Sequence, residues 1–445
     1  MAKPIFTISG LRGIFGKDLT LELVMKYSKH FASYLSAKKI AVGRDTRFSG
    51  LILFHTAVAG LLDCGCDVFD FGICPTPAIV MMTKKLRFDG GIQITASHNP
   101  EEWNGLKFIS GKGRFLFPSE LVEFKRSFKK EIEFSNDAYN KRLSKCEIIN
   151  TYVKHIADSD YFRKVPNKNF RVGIDSCNGA AEDAAVKMVE MLGSTPISLK
   201  TSGAGFPRGT EPNSRNLQKL SSAIRKHKLD LGIAFDPDGD RFSCVDEHGV
   251  PLSEESTVLL ALLFILKRHK GPVVVNNSTT MAVDNICTRY RVPLYRSKTG
   301  EINVVKMMQE VDAVVGGEGN GGVIVPSINS TRDGLVATAI LLKLLYERKS
   351  TLSTIRKELP VYFMRKTIIK EYRDEWQKSI RKKFADGFNV KFNNQDGLKV
   401  IGKDFWLLIR KSNTEPILRI IAESNNRNLT AKLIRDTIDQ IKIRS

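Results

Sequence analysis

The chain has 445 residues, 42% of them hydrophobic and 26% charged, the composition of an ordinary globular protein at a length that excludes a single core. Lys and Arg number 69 against 48 Asp and Glu, a formal charge of +21, so an anionic partner is expected, though not necessarily nucleic acid. The longest apolar run, Val258 to Leu266, is far short of the roughly 20 residues that cross a bilayer, which excludes a membrane-spanning helix.

The N-terminus, Met1 to Gly10, has neither an apolar signal core nor an Arg/Ser-rich transit pattern, so a cytoplasmic location is expected. Arg12 follows in a Gly-containing turn, Ser9-Gly-Leu-Arg12-Gly13. A strand running into a helix is predicted at Lys39-Ile-Ala-Val-Gly-Arg-Asp-Thr, with Arg47 just beyond it. The same pattern of β-branched strand, polar turn and helical period returns at Phe170 to Gly179 and at Pro272 to Thr279. The spacing, roughly 100 to 130 residues, is that of a domain, so three related α/β units are expected. Seven cysteines (64, 66, 74, 146, 177, 244, 287) form no Cys-x-x-Cys pair and read as reduced, mostly buried thiols.

Within the first unit the predicted strand Gly91 to Ile94 runs into Thr95-Ala-Ser97-His98-Asn99-Pro100. A hydroxyl at a strand end in a proline-closed turn can be exposed beside anion-binding N–H groups. Taken alone, the hexapeptide is an ordinary turn, and an adjacent Ser-His pair does not make a hydrolase triad. Lys107 stands ten residues after Ser97.

In the second unit Asp236-Pro-Asp238-Gly-Asp240-Arg241 separates the apolar strand Leu229 to Phe235 from Phe242 to Val245. On a straight strand alternate side chains lie about 6.6 Å apart, so three carboxylates meet one cation only if Pro237 and Gly239 curl the backbone. Oxygen-only ligation suits Mg²⁺. A calcium EF-hand, with Asp236, Asp238, Asp240 and Glu247 as ligands, fails because Arg241 occupies the position of the sharp-turn glycine. A solvated acidic turn is the plain alternative.

In the third unit Gly316-Gly-Glu318-Gly-Asn320-Gly-Gly322 is a polar turn after the apolar strand Ala313 to Val315. The glycines do not open a dinucleotide-binding helix, and Glu318 with Asn320 offers an acceptor and an amide to vicinal hydroxyls of a sugar. The texture then changes. An amphipathic stretch, Tyr372 to Phe384, precedes short strands at Val390 to Phe392, Leu398 to Ile401, Phe405 to Ile409 and Ile417 to Ala422, and a closing helix at Thr430 to Ile443. This is a smaller α+β domain. Its loop Arg410-Lys-Ser412-Asn413-Thr414-Glu415-Pro416, followed by Arg419, combines guanidinium forks and hydroxyls as a phosphate grip does.

Together and in this order the motifs closely resemble those of the α-D-phosphohexomutases, the family of phosphoglucomutase, phosphomannomutase and phosphoglucosamine mutase. The resemblance covers the whole chain. It implies three related mixed-sheet α/β domains (1–155, 156–252 and 253–360) and a smaller α+β domain (361–445) around a central cleft. By that resemblance Ser97 matches the serine that carries a phosphoryl group, and Asp236, Asp238 and Asp240 match the ligands of a Mg²⁺ that also meets the Ser97 phosphate. Arg12, Lys107 and Arg241 match basic residues around the transferring group, with Lys107 the candidate for proton transfer. Glu318 and Asn320, with Lys298 and Glu301, fall at the sugar-reading site. Arg410, Ser412, Asn413, Thr414 and Arg419 match the phosphate loop. A sugar 1,6-bisphosphate is the expected activator, and a monomer or homodimer the expected assembly.

The departures concern the sugar. Many glucose- and mannose-directed relatives end the third-domain loop in Ser-Gly-His, where this chain has Asn320, Gly321 and Gly322. Glu301 stands where several of them have a histidine, and a carboxylate there favours a 2-amino group, so glucosamine phosphate is the expected substrate, with mannose or glucose phosphate the alternative. A metal-dependent phosphohydrolase and a non-enzymatic anion binder are the competing classes. The chain has no basic tail or basic-aromatic repeat to favour nucleic acid.

Overall fold

A computed structural model describes residues 4–129, 131–132, 135–163, 169–199, 205–372, 375–411 and 417–441. Ser412, Asn413 and Thr414 lie outside the described residues. The predicted repeat is present as three copies of one sheet. In the first, strands Asp67–Ile73, Lys39–Arg44, Gly90–Ile94 and Trp103–Ser110 lie side by side in that order. The first three run parallel and the fourth returns antiparallel. Strands Thr195–Ser198, Arg171–Asp175, Leu231–Phe235 and Phe242–Val245 repeat this arrangement, as do Leu294–Ser297, Val273–Asn276, Val315–Glu318 and Gly322–Ile324. The first sheet is extended to eight strands by Ile5–Thr7, Gly10–Ile14, Arg114–Phe115 and Leu143–Lys145.

The repeat positions the chemistry. In every copy the third strand of the row ends at a motif singled out in the sequence. Ser97 follows Ile94, Asp236 follows Phe235, and Glu318 closes its own strand before the antiparallel strand begins. Ligands of such sheets bind outside the carboxyl ends of the strands. The loop at 316–322 is therefore tighter than expected: residues to Glu318 are strand, and Glu318 pairs with Gly322 across a hairpin. Gly321 has φ +91, and a Cβ there would lie 2.3 Å from the Phe242 carbonyl oxygen, so the turn packs backbone to backbone against the Asp loop's return strand.

The run Val258 to Leu266 is a helix, Glu255–Ile265, buried on all sides from Thr257 onward, as uniform apolarity requires. It belongs to a continuous core holding Ile79, Val189, Leu263 and Leu341, drawn from all three copies. The C-terminal unit has a separate core, including Trp376, Phe384, Leu407 and Leu433. Its strands Phe363–Ile369, Leu418–Ser424, Phe405–Lys411, Leu398–Ile401 and Lys391–Asn393 form an antiparallel sheet in that order. Helices Trp376–Gly387 and Arg427–Ile441 contribute to its core.

Two expectations need correction. The helix expected over Tyr372 to Phe384 runs from Trp376 to Gly387, and the strand Phe363–Ile369 was not foreseen. That strand is an edge with Arg365, Lys366 and Ile368 exposed, so it lacks the half-buried alternation by which a strand is recognised. Of the cysteines, Cys66, Cys74, Cys177, Cys244 and Cys287 are buried. No helix among the described residues is long and apolar enough to cross a membrane.

Candidate active site

Ser97 is 1% exposed and has left-handed backbone, φ +51, a conformation that costs a non-glycine residue about 1–3 kcal/mol and persists only where its surroundings impose it. The surroundings are the buried Arg47 guanidinium. Its Nη2 donates to the carbonyls of Ser97 and Asn99 at 2.6 and 2.8 Å, and its Nη1 to those of Pro100 and Trp103 at 2.5 and 2.8 Å. Asp45 fixes Arg47 through Nε at 3.1 Å and also accepts from Thr95 Oγ1 at 2.6 Å. So held, the Ser97 hydroxyl donates to Asp236 Oδ2 at 3.0 Å, across the boundary between the first two sheets.

The Asp loop curls as the metal reading requires: Gly239 has φ +70, and ligand oxygens of Asp236, Asp238 and Asp240, all buried, lie within 4.8 Å of one another. Lys107 Nζ donates to Asp238 Oδ2 at 2.6 Å and Asp240 Oδ2 at 3.2 Å. Thr76 Oγ1 donates to Asp238 Oδ2. Burial works against a charged Lys107, but Asp238 and Asp240 outweigh it and hold its pKa above the ordinary lysine value. The same contest lowers Asp240: burial opposes its charge, and Arg332 and Lys107 override burial. Asp236 goes the other way, pushed well above the usual carboxylate range by burial and then by Asp240 and Asp238.

Arg12 and Arg241 close the site. Arg12, in strand Gly10–Ile14, donates from Nη1 to Asn99 Oδ1 at 2.7 Å, and burial pushes its pKa down to about 10. Arg241 donates from its backbone N to Asp236 Oδ1 at 3.0 Å and from Nη1 to Glu211 Oε1 at 3.1 Å. Its Nη2 stands 2.6 Å from His98 Nδ1. Burial, Arg241 and Arg12 lower the His98 pKa well below the ordinary value, so the ring is neutral and its Nδ1 accepts. Among the described residues the buried Nε atoms of both arginines have no hydrogen-bond partner, donors left over for an anion.

Glu318 is 3% exposed. Its Oε1 accepts from Asn276 Nδ2 at 2.7 Å and from Gly300 N at 3.0 Å, and its Oε2 from Arg332 Nη1 at 2.8 Å. Glu301, also buried, accepts from the Arg332 backbone N at 2.8 Å and from the Thr331 hydroxyl. Arg332 Nη2 meanwhile donates to Asp240 Oδ2 at 2.7 Å. Asn320 lies at the hairpin, its Oδ1 accepting from Gly322 N at 3.3 Å, and Lys298 is exposed beyond strand Leu294–Ser297. Arg410 and Arg419 sit directly opposite each other on neighbouring strands. Like charges so placed repel, and burial, only partly offset by Asp396, lowers the Arg410 pKa.

The phosphoglucomutase/phosphomannomutase family is matched by all four of its domains in order: alpha/beta/alpha domain I over residues 3–134, domain II over 150–249, domain III over 253–363 and the C-terminal domain over 366–440. The chain is 33% identical to a phosphoglucosamine/phosphogalactosamine mutase of Sulfurisphaera tokodaii, over 97% of this chain and 98% of the relative. The chain belongs to this family. It is also 33% identical to a phosphoglucomutase/phosphomannomutase of Thermococcus kodakarensis, over 95% of both chains. A family protein of Burkholderia thailandensis, 23% identical, has the same fold, with a TM-score of 0.84 over 98% of both chains.

Members of the family are phosphotransferase isomerases that use Mg²⁺ and a phosphoserine, and this chain's residues fit such an ion. Asp238 Oδ1 and Asp240 Oδ1 are buried and have no hydrogen-bond partner among the described residues, an expensive state for a carboxylate oxygen. Three buried carboxylates and a neighbouring serine hydroxyl form an all-oxygen donor set. Asp238→Asn is expected to raise the Mg²⁺ concentration for half-maximal activity by about tenfold or more and to lower turnover with it. An unchanged Mg²⁺ titration would move the ion elsewhere.

Arg332, Arg47 and Thr76 were not foreseen as site residues. Arg332 precedes helix Gly334–Arg348, whose N-cap Asp333 accepts from Leu335 and Val336. The segment Thr331-Arg-Asp-Gly334 thus reads as a helix start, and nothing in it announces a guanidinium aimed at carboxylates of two other loops.

Proposed function

We propose that this phosphohexomutase interconverts the 6- and 1-phosphates of a hexosamine, with glucosamine phosphate the preferred sugar, through phosphorylated Ser97 and a bisphosphorylated intermediate. The observation that carries the sugar choice is that the single guanidinium of Arg332 faces three buried carboxylates, Asp240, Glu301 and Glu318. Asp240 is paired with Lys107 as well, so Glu301 and Glu318 are the two acids that depend on Arg332 for their cation, and carboxylates so placed favour a 2-amino group over a 2-hydroxyl. The identity to the Sulfurisphaera tokodaii relative supports the amino sugar. The equal identity to the Thermococcus kodakarensis relative supports the alternative, mannose or glucose phosphate.

In this reading the Ser97 phosphoryl group passes to the free hydroxyl of a sugar monophosphate. The bond from Ser97 Oγ to phosphorus breaks as that from the sugar oxygen forms; the sugar hydroxyl gives up one proton and Ser97 Oγ gains one, which restores the serine hydroxyl. The bisphosphate turns over in the cleft and returns its other phosphate to Ser97. Such transfer needs alignment and charge neutralisation more than covalent help. Arg12 and Arg241 supply donors to the transferring group, and Arg47 fixes the serine. Asp236, Asp238 and Asp240 with Ser97 would hold Mg²⁺, which would supply further neutralisation. Lys107 is kept protonated by Asp238 and Asp240, so it serves first as a charge and a proton donor. It can accept the sugar's proton only when those carboxylates are otherwise engaged.

Arg410 and Arg419, with Ser412, Asn413 and Thr414, hold the second phosphate. An anion between the facing guanidinium groups turns their repulsion into binding. Glu318 and Asn320 read the sugar hydroxyls, while Glu301 holds Arg332 and Lys298 lies at the rim. The chain divides into functional units at 1–155, 156–252, 253–360 and 361–445, and a sugar 1,6-bisphosphate restores dephosphorylated enzyme.

The test is kcat/KM for glucosamine, N-acetylglucosamine, glucose and mannose 1-phosphates, with Mg²⁺ and a trace of bisphosphate. A preference for glucosamine phosphate of about tenfold, about 1.4 kcal/mol of transition-state binding, is expected. Equal or better rates with mannose or glucose phosphate would establish the alternative. Stoichiometric release of inorganic phosphate would instead reveal a hydrolase.

A further inference from the structure

Away from the Asp loop, a cavity of about 470 Å³ opens where the third and fourth units join. It is lined by Glu255 and Thr280, by Tyr362 just before strand Phe363–Ile369 and Arg365 within it, and by Glu423 and Arg427. Its volume is within the roughly 300–1,000 Å³ of small-molecule sites.

The cavity is electrically divided. Glu255 is 9% exposed and Glu423 1%. Glu255 Oε2 accepts from Thr280 N at 3.0 Å, whereas its buried Oε1 accepts no hydrogen bond among the described residues. The Lys366 ammonium stands 3.6 Å from Oε1, beyond hydrogen-bonding reach. Burial, only partly offset by the Lys366 ammonium and the Thr280 N–H, pushes the Glu255 pKa up to about 8. Glu423 Oε2 accepts from Met281 N and Trp406 Nε1, each at 2.7 Å. By contrast Arg365 and Arg427 are exposed, and the Arg427 guanidinium lies over the Phe363 ring, 5.3 Å from its centre. Acceptors within and guanidinium groups toward solvent match a molecule with a donor at one end and an anion at the other.

We propose that this cavity binds a small zwitterion, its ammonium group received by Glu255 and Glu423 and its carboxylate or phosphate by Arg365 and Arg427. The site is separate from the sugar cleft yet backs onto it. A Cβ at Gly319, the residue after Glu318, would lie 2.1 Å from Glu255 Oε2.

The experiment titrates the full chain with 4-aminobutyrate and, separately, with O-phosphoethanolamine, by calorimetry and by tryptophan fluorescence, since the Trp406 indole is bonded to Glu423. At least one of the two is expected to bind saturably. The carboxylate and phosphate arms tell which anion the arginines prefer. Butylamine and butyrate, with one charge each, should bind about tenfold more weakly or worse. Glu255→Gln and Arg427→Ala should each weaken binding by about tenfold, and Arg427, being exposed, can be replaced without threatening the fold. Arg410→Ala should leave binding unchanged. Absence of saturation with both probes, equal binding by the Arg427→Ala protein, or loss of binding in Arg410→Ala, which would put the probe in the sugar cleft, overturns the proposal.

Discussion

Ser97→Ala is expected to lose turnover by about 10⁴-fold or more while keeping the fold. The side chain removed is small, and its hydrogen bond to a carboxylate is the one to Asp236 Oδ2. Losing that bond costs on the order of 1–3 kcal/mol. The left-handed backbone at Ser97 is imposed by Arg47 through four carbonyls, and alanine at the same φ is held by the same clamp. No neighbour can replace the oxygen. His98 is a neutral ring committed to Arg241, and Thr95 Oγ1 is bonded to Asp45. The checks are turnover with bisphosphate present and intact mass after incubation with it, where wild type should carry a phosphoryl group and the variant none. A wild-type rate in Ser97→Ala would remove the phosphoserine from the mechanism.

Arg332→Met should be the most damaging change away from Ser97 and the Asp loop. The methionine keeps much of the volume but leaves Asp240, Glu301 and Glu318 buried without their shared cation. Breaking a buried ion pair by removing one partner costs about 3–5 kcal/mol, and here three acids lose the same partner. A large fall in the denaturation midpoint is therefore expected, and activity should fall because Asp240 and Glu318 belong to different sheets' strand ends, which Arg332 holds in register. Arg332→Lys separates the two effects. A lysine restores charge but cannot bond Asp240 and Glu318 at once as a fork does, so it should recover stability in part and leave the sugar phosphate KM raised. A wild-type midpoint in Arg332→Met would mean that the carboxylates find other compensation.

The repeated strand, turn and helix are legible in the sequence because a buried parallel strand is a short β-branched run and its turn is built from Gly, Asn, Asp and Ser. Ser97, the Asp loop and the Gly316 to Gly322 turn stand out for the same reason, each being a polar segment at the end of such a run. Phe363–Ile369 escapes because an exposed edge strand obeys no burial pattern. Glu301 shows a different limit. Its residue type suggests a reader of the sugar, yet its carboxylate is turned to Thr331 and Arg332, a fact about neighbours that spacing does not carry.

By itself the amino-acid sequence determined the three-fold repeat, the C-terminal α+β unit, the oxygen-only donor set and the family, since all of these are local patterns read in order. Tertiary structure alone decided which groups neutralise one another. Arg332 meets Asp240 across 92 positions of chain and Glu318 across 14, and Lys107 meets Asp238 across 131. Periodicity reports only whether a residue faces the core. Partnership between buried charges depends on how separate sheets dock, and the desolvation that makes such a pairing matter exists only once they have done so.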